Sequence, residues 1–248
     1  MIGIIGGTGL ERLDELQARR EIDIETPYGR PSAPICAGEL AGVPVAFLSR
    51  HGRGHALPPH RINYRANLLA LQESRVRRIV AVAAVGGITT GMRPGRLVFP
   101  SQLIDYTWGR EHTYAEGGDR PVLHVDFTDP YCERTRQVLV QAASGGGVDA
   151  AGDGVYGATQ GPRLETAAEI TRMERDGCDV VGMTGMPEAA LARELAIPYA
   201  CCAVVANWAA GRGHGPITMA AIEAALAGGM EDVVKVLALA LPELDRLT

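Results

Sequence analysis

Gly3-Ile4-Ile5-Gly6-Gly7-Thr8-Gly9-Leu10 opens the chain as an apolar run that breaks into glycine within a few residues. Isoleucine suits a buried pleated strand, and the glycines let the backbone turn sharply with its N–H groups uncovered. Such a turn, with the Thr8 hydroxyl beside it, has the chemistry to hold an anion. The same G-x-x-G-x-x-G spacing can open a dinucleotide-binding fold, and glycines at a strand end also serve ordinary tight turns, so the stretch alone leaves three readings open. Outward from it, apolar β-type runs recur at Val43–Leu48, Arg78–Val85, Leu97–Ile104, Val180–Met183 and Tyr199–Val205. Between them, Asn63–Glu73, Pro130–Ala143, Thr166–Arg175 and Pro187–Leu195 repeat their apolar residues at helical spacing, and Thr218–Ala240 predicts one long closing helix or two. This alternation predicts an α/β fold with a largely parallel sheet. Ligands in such sheets sit beyond the carboxyl ends of the strands, so the residues following each run are the ones to read.

Composition narrows the partners. The 248 residues, 46% hydrophobic, suffice for one sizeable core, and we expect one domain, with Gly109–Arg120 a polar loop and Ser144–Gly147 a glycine-rich turn. A net charge of −5 offers no field to draw in nucleic acid or an anionic membrane, which leaves a small molecule as the expected partner. The five cysteines show no C-x-x-C spacing, and two are adjacent, so reduced thiols in a cytoplasmic protein are expected. Met1 is followed directly by the strand-like Ile2–Ile5 with no basic n-region or cleavage site, and no run of about 18 apolar residues occurs, so neither a leader nor a membrane span is expected. No histidine or cysteine cluster has metal-ligand spacing, so neither metal nor organic cofactor is expected.

After Val43–Leu48 comes Ser49-Arg50-His51-Gly52-Arg53-Gly54-His55, two arginines and two histidines interleaved with glycine. Arginine presents a planar fork of donors that matches phosphate oxygens. A lone Arg-His pair would read as a solvated loop; this concentration at a strand end points to function.

With Pro58-Pro59-His60-Arg61-Ile62-Asn63-Tyr64-Arg65-Ala66-Asn67, the segment resembles the methylthioadenosine phosphorylase branch of the purine nucleoside phosphorylase family. The resemblance extends over nearly the whole chain: GIIGGTGL, Ala83-Ala84-Val85-Gly86-Gly87, Gly161-Pro162-Arg163-Leu164-Glu165-Thr166 and Gly182-Met183-Thr184-Gly185-Met186-Pro187-Glu188 follow in the family's order. It implies a single α/β domain with a mixed central sheet flanked by helices, assembled as a homotrimer with sites near subunit interfaces. It also implies a phosphorolytic enzyme with inorganic phosphate as co-substrate, held by Thr8, Arg50, His51, the backbone at Ala83 and Ala84, and Thr184. Met183 would pack under the ribose, His55 would neighbour ribose or phosphate, and His124 would reach in from another subunit. Asn207, Trp208 and Ala209 would border the base together with Leu164 and Glu165.

Two departures bear on the base. Adenosine-type members carry two aspartates separated by one residue where this chain has Asn207-Trp208-Ala209. An adenine leaving group needs a proton at N7, which a carboxylic acid can supply and an amide cannot. An amide can still donate a hydrogen bond to the N7 or O6 of a departing 6-oxopurine. Glu165 stands where adenosine-type members have a small hydroxyl residue and 6-oxopurine phosphorylases have glutamate. A carboxylate accepts the N1–H of hypoxanthine and repels the N1 lone pair of adenine. Plainer readings make Glu165 a first-turn helix residue and Asn207 a loop amide. At the 5′ end, Ile217, Met219 and Ile222 offer apolar walls suited to a methylthio group, though an amphipathic helix has the same pattern and His214 lies near. The expected substrate is S-methyl-5′-thioinosine. Methylthioadenosine or general inosine and guanosine phosphorolysis are the alternatives within the family. A short-chain dehydrogenase would need Tyr-x-x-x-Lys, but the sole lysine, Lys235, has Glu231 four residues before it. A non-catalytic nucleoside-binding protein would not need the Arg50/His51 cluster.

Overall fold

Apolar side chains on both faces of Arg78–Gly87 (β5), nearly all of them buried, mark the middle of a sheet that has helices on either side. The computed structural model describes residues 1–10, 13–117 and 122–247. Before β5 come β1 (Ile2–Gly6), β2 (Gln17–Ile22), β3 (Ile35–Leu40), β4 (Val43–Ser49) and α1 (Tyr64–Glu73). After it come β6 (Leu97–Val98), β7 (Gln102–Asp105), α2 (Glu133–Gly145), β8 (Ala150–Ala151), β9 (Val155–Ala158) and α3 (Ala167–Arg175). The chain ends with β10 (Val180–Gly182), α4 (Gly185–Glu194), β11 (Tyr199–Trp208) and α5 (Met219–Arg246). Of the polar loop expected over Gly109–Arg120, residues 118–120 lie outside the described residues.

Because successive strand residues face opposite ways, β5 feeds two cores. Ile79, Ala81, Ala83 and Val85 pack with Leu68 and Leu71 of α1 and with Ala189 and Leu191 of α4. Val80 and Val82 pack on the other face with Leu139 of α2 and with α5. Helix α5 presents Leu226, Met230, Val233, Leu237, Leu241 and Leu244 at three- and four-residue spacing, which keeps one stripe against the sheet for most of its length. It is one helix, started by the Thr218 side chain accepting from the Ala221 N–H. The α3 start is fixed by a capping box in which Thr166 and Glu169 satisfy each other's backbone N–H groups.

The sheet runs β2-β3-β4-β1-β5-β10-β9-β7, with β11 also on β5 and with β6 and β8 beyond β11. It is mixed rather than largely parallel: β2–β3, β3–β4, β5–β10 and β6–β11 are antiparallel. The expected strand Leu97–Ile104 divides at Pro100, and its halves take different partners, β11 and β8 for the first and β9 for the second. Proline lacks the N–H that a continuous ladder would use.

The pairing of β5 creates the opening for a site. Strand β1 accompanies it only from Arg78 to Ala81, and antiparallel β10 takes the same edge only at Gly86 and Gly87. Among the described residues, Val82 to Val85 have no strand partner on that edge. Since β10 runs opposite to β5, the residues after Gly182 return toward this gap, while the turns after β1 and β4 arrive from the other side.

Candidate active site

A cavity of about 460 Å³ fills the gap, lined by the strand ends in question. Gly7 and Thr8 follow β1, Arg50 and His51 follow β4, Ala83 and Ala84 belong to β5, and Met183 and Thr184 follow β10. Glycine is required at position 7, where a Cβ would stand 2.6 Å from the Val82 carbonyl oxygen and 2.8 Å from Arg50 Nη1. The missing side chain lets the Arg50 guanidinium lie against the open edge of β5.

Arg50 is almost wholly buried, at 1% exposed, and faces an equally buried carboxylate. Its Nε and Nη2 each donate to Glu188 of α4 at 2.7 Å, and Nη1 donates to the Val82 carbonyl at 2.7 Å. The Tyr199 hydroxyl donates to the same carboxylate at 2.8 Å. Burial alone would favour loss of the Arg50 proton, but the Glu188 charge and its hydrogen bonds reverse the shift and hold the guanidinium charged. Of the five guanidinium N–H donors, these three bonds leave one on each Nη for a ligand in the cavity. In the sequence Glu188 is only the last residue of the Gly182–Glu188 segment. Its pairing with a residue 138 positions away is visible only in the fold.

His51 Nδ1 lies 2.8 Å from the Leu57 carbonyl oxygen, so Nδ1 carries the hydrogen of that bond. Burial, reinforced by the neighbouring Arg50, lowers its pKa to about 4, and the ring stays neutral near pH 7. His55 stacks on it, with ring centroids 4.1 Å apart. Thr184 is buried and precedes α4, yet its hydroxyl makes no capping bond to that helix. This end of the cavity thus carries one charged guanidinium, a neutral imidazole, threonine hydroxyls and an open backbone edge, a set suited to a tetrahedral oxyanion.

Toward the other end lie Pro162, Leu164 and Glu165 before α3, and Asn207 and Ala209 at the end of β11. Asn207 is not in a loop: β11 continues through a register shift between Val205 and Asn207, and this irregularity sets the position of the amide. Asn207 Nδ2 donates to the Trp208 carbonyl at 2.7 Å, which fixes the amide plane. The Trp208 side chain falls outside the main cavity and lines a neighbouring one with His214. Glu165 accepts a hydrogen bond from the Thr159 hydroxyl at 2.6 Å. Gly161, at φ +61°, leaves no room for a Cβ, which would lie 2.4 Å from Met183 Sδ; this contact sets Met183 against the 159–165 loop. Ile217, Met219 and Ile222 complete an apolar side. Met219 and Leu164 are 63% and 47% exposed, so this chain leaves the mouth open. His124 is exposed and is not among the lining residues.

Arg110, in the stretch between β7 and α2, escaped the sequence reading. It is buried, and its donors reach the carbonyls of Thr159, Gln160, Met183 and Met186, which ties the 159–165 loop to the strand end that carries Met183. An arginine in a polar stretch gives no sign that its partners are backbone carbonyls. Among the described residues, no group of three or more His, Cys, Asp or Glu is placed to hold a metal ion, and no helix is long and apolar enough to cross a membrane.

The pattern shared by the phosphorylase superfamily matches residues 1–242. A probable S-methyl-5′-thioinosine phosphorylase of Xanthomonas campestris is 56% identical over 222 residues, 89% of each chain. A 6-oxopurine nucleoside phosphorylase of Pyrococcus furiosus is 44% identical over 97% of this chain and 92% of its own. The solved structure of methylthioadenosine phosphorylase from Schistosoma mansoni in complex with adenine superposes with a TM-score of 0.93 at 31% identity, covering 99% of this chain and 92% of that one. Fold, cavity and sequence agree, and the chain belongs to the phosphorylase superfamily.

Proposed function

We propose that the protein cleaves S-methyl-5′-thioinosine with inorganic phosphate, giving hypoxanthine and 5-methylthio-α-D-ribose 1-phosphate. The observation that carries this reading is the base end of the cavity, where the amide Asn207 and Ala209 occupy the acid-pair positions and the carboxylate Glu165 joins them. The names of the Xanthomonas and Pyrococcus relatives, one a methylthioinosine and one a 6-oxopurine enzyme, support the same base class.

Phosphate would bind between Thr8, Arg50, His51, Thr184 and the free edge of β5 at Ala83 and Ala84. One of its oxygens attacks C1′ from the face opposite the base. The C1′–O bond forms as the C1′–N9 bond breaks, and the electron pair leaves with the purine. Asn207 donates a hydrogen bond to the developing charge, Glu165 accepts N1–H, and a solvent proton completes hypoxanthine. Donors already aimed at the position where charge develops need no reorganisation in the transition state. With adenine, Glu165 would face a lone pair, a mismatch of about 1–3 kcal/mol or roughly one to two decades in selectivity. Met183 supports the ribose, and Ile217, Met219 and Ile222 receive the methylthio group. No cofactor enters this scheme.

A homotrimer fits the open mouth. Val122 and Leu123, 70% and 52% exposed, flank His124 and form an apolar segment that another copy would cover while His124 closes that copy's site. The reaction is tested by incubating the enzyme with methylthioinosine, with and without phosphate, and identifying both products. Hypoxanthine and a pentose 1-phosphate in equal amounts, formed only with phosphate, are expected. Base release that ignores phosphate would make the protein a hydrolase and overturn the assignment.

A further inference from the structure

Glu165 lines two cavities. One is the cavity just described; the other, of about 570 Å³, lies on the far side of the 159–165 loop and contains Arg163 and Arg172. A carboxylate on such a wall can turn toward the base or toward those arginines, and only the first orientation recognises N1–H. Arg163 is held away by two bonds to Glu169, at 2.7 and 2.8 Å, and Arg172 pairs with Asp176. The contact that holds the Glu165 carboxylate is the Thr159 hydroxyl, at 2.6 Å.

Thr159 is itself immobilised before any ligand arrives. Its N–H donates to the Gly182 carbonyl at 2.8 Å, and its own carbonyl accepts from Arg110 Nη2 at 3.1 Å. Gly182 ends the strand that leads to Met183 and Thr184. The hydroxyl is therefore referenced to the same backbone as the ribose and phosphate contacts. Thr159 lines the second cavity and its hydroxyl takes Oε1 of Glu165, which leaves Oε2, not engaged by Thr159, as the acceptor for N1–H.

We propose that Thr159 is the positioning residue for 6-oxopurine selectivity, anchoring one oxygen of Glu165 in the wall between the two cavities so that the other accepts N1–H. This rests on the base assignment above and adds a residue that does not touch the substrate. Thr159→Val keeps the shape and removes the donor, Thr159→Ser keeps the donor, and Glu165→Gln supplies the background for a double-mutant cycle. The readouts are kcat/KM for methylthioinosine and methylthioadenosine, inhibition by hypoxanthine, and KM for phosphate. Thr159→Val should lower kcat/KM for methylthioinosine about tenfold and weaken hypoxanthine by a similar factor, with phosphate KM and methylthioadenosine turnover changing less than about twofold. Thr159→Ser should recover most of the loss, and in the Glu165→Gln background the valine should add less than about twofold. Equal losses on both nucleosides, the same loss in both backgrounds, or no loss at all would overturn the proposal. If Thr159→Val misfolds, Thr159→Ala, which also removes the donor, takes its place in the cycle: selective loss on methylthioinosine that serine does not share supports the proposal, and unchanged selectivity refutes it. Preference of the unaltered enzyme for methylthioadenosine would refute the base assignment, whereas additivity in the cycle refutes the role of Thr159.

Discussion

Replacing Glu188 by glutamine leaves Arg50 charged, 1% exposed and without its counter-ion. The pair has two contacts of 2.7 Å and a third bond from Tyr199 at 2.8 Å. Glutamine can accept from one guanidinium N–H, but its amide N–H groups would oppose the other donor or the tyrosine hydroxyl. Removing one partner of a buried pair typically costs about 3–5 kcal/mol, because the remaining charge has lost both water and its complement. For a chain of this size each kcal/mol lowers Tm by about 2–4 °C, so a fall of about 6–20 °C is expected. Arg50 would also lose the alignment that points its two spare N–H groups into the cavity, and KM for phosphate should rise about tenfold or more. Denaturant unfolding at fixed protein concentration gives the first quantity, and initial rates against phosphate give the second. A loss below about 1 kcal/mol with an unchanged phosphate KM would refute the idea that Glu188 places Arg50.

Three further outcomes are expected. His51 has a folded pKa of about 4 against an ordinary 6.5, so the unfolded chain takes up the proton first; stability should be full above about pH 6.5 and fall as pH drops toward 4, by on the order of 3 kcal/mol. His51→Asn should flatten that acid slope in urea titrations at several pH values, and an unchanged slope would assign it to other groups. Gly7→Ala should destabilise by more than about 1 kcal/mol and impair phosphate use, since its Cβ meets backbone and guanidinium together; a variant with normal phosphate kinetics would show that the close approach is dispensable. Asn207→Asp with Glu165→Ser should move kcat/KM toward 6-aminopurine nucleosides by about one to two decades, and unchanged selectivity would remove the base argument.

The parts legible in the sequence were those in which local chemistry and spacing coincide. GIIGGTGL had to be a strand and a turn, and the Arg50–His51 block follows its strand with nothing apolar to bury. The helical spacing of Thr166–Arg175 located α3, which runs from Ala167 to Arg175. Strand β2 gave no such signal: QARREI is polar, mostly exposed, and a strand only because β3 pairs with it at the sheet edge. Strands β6 and β8 are two residues each, shorter than any periodicity can register. The site was legible at its strand ends and illegible in its supports. Glu188 and Arg110 act through a partner distant in sequence and through backbone carbonyls respectively, and neither kind of partner leaves a pattern in the neighbouring residues. Trp208 shows the converse limit: it sits between Asn207 and Ala209, which line both cavities, yet it lines only the neighbouring one.

Under the proposed function, a carboxylate and an amide at one end of the cavity, and an apolar wall at the other, select a 5′-methylthio 6-oxopurine nucleoside. This selectivity is read from kcat/KM at saturating phosphate for methylthioinosine, methylthioadenosine and inosine with one enzyme preparation. Methylthioinosine is expected ahead of each by about tenfold or more. Methylthioadenosine in first place would contradict the roles of Asn207 and Glu165, and inosine in first place would contradict the apolar wall formed by Ile217, Met219 and Ile222.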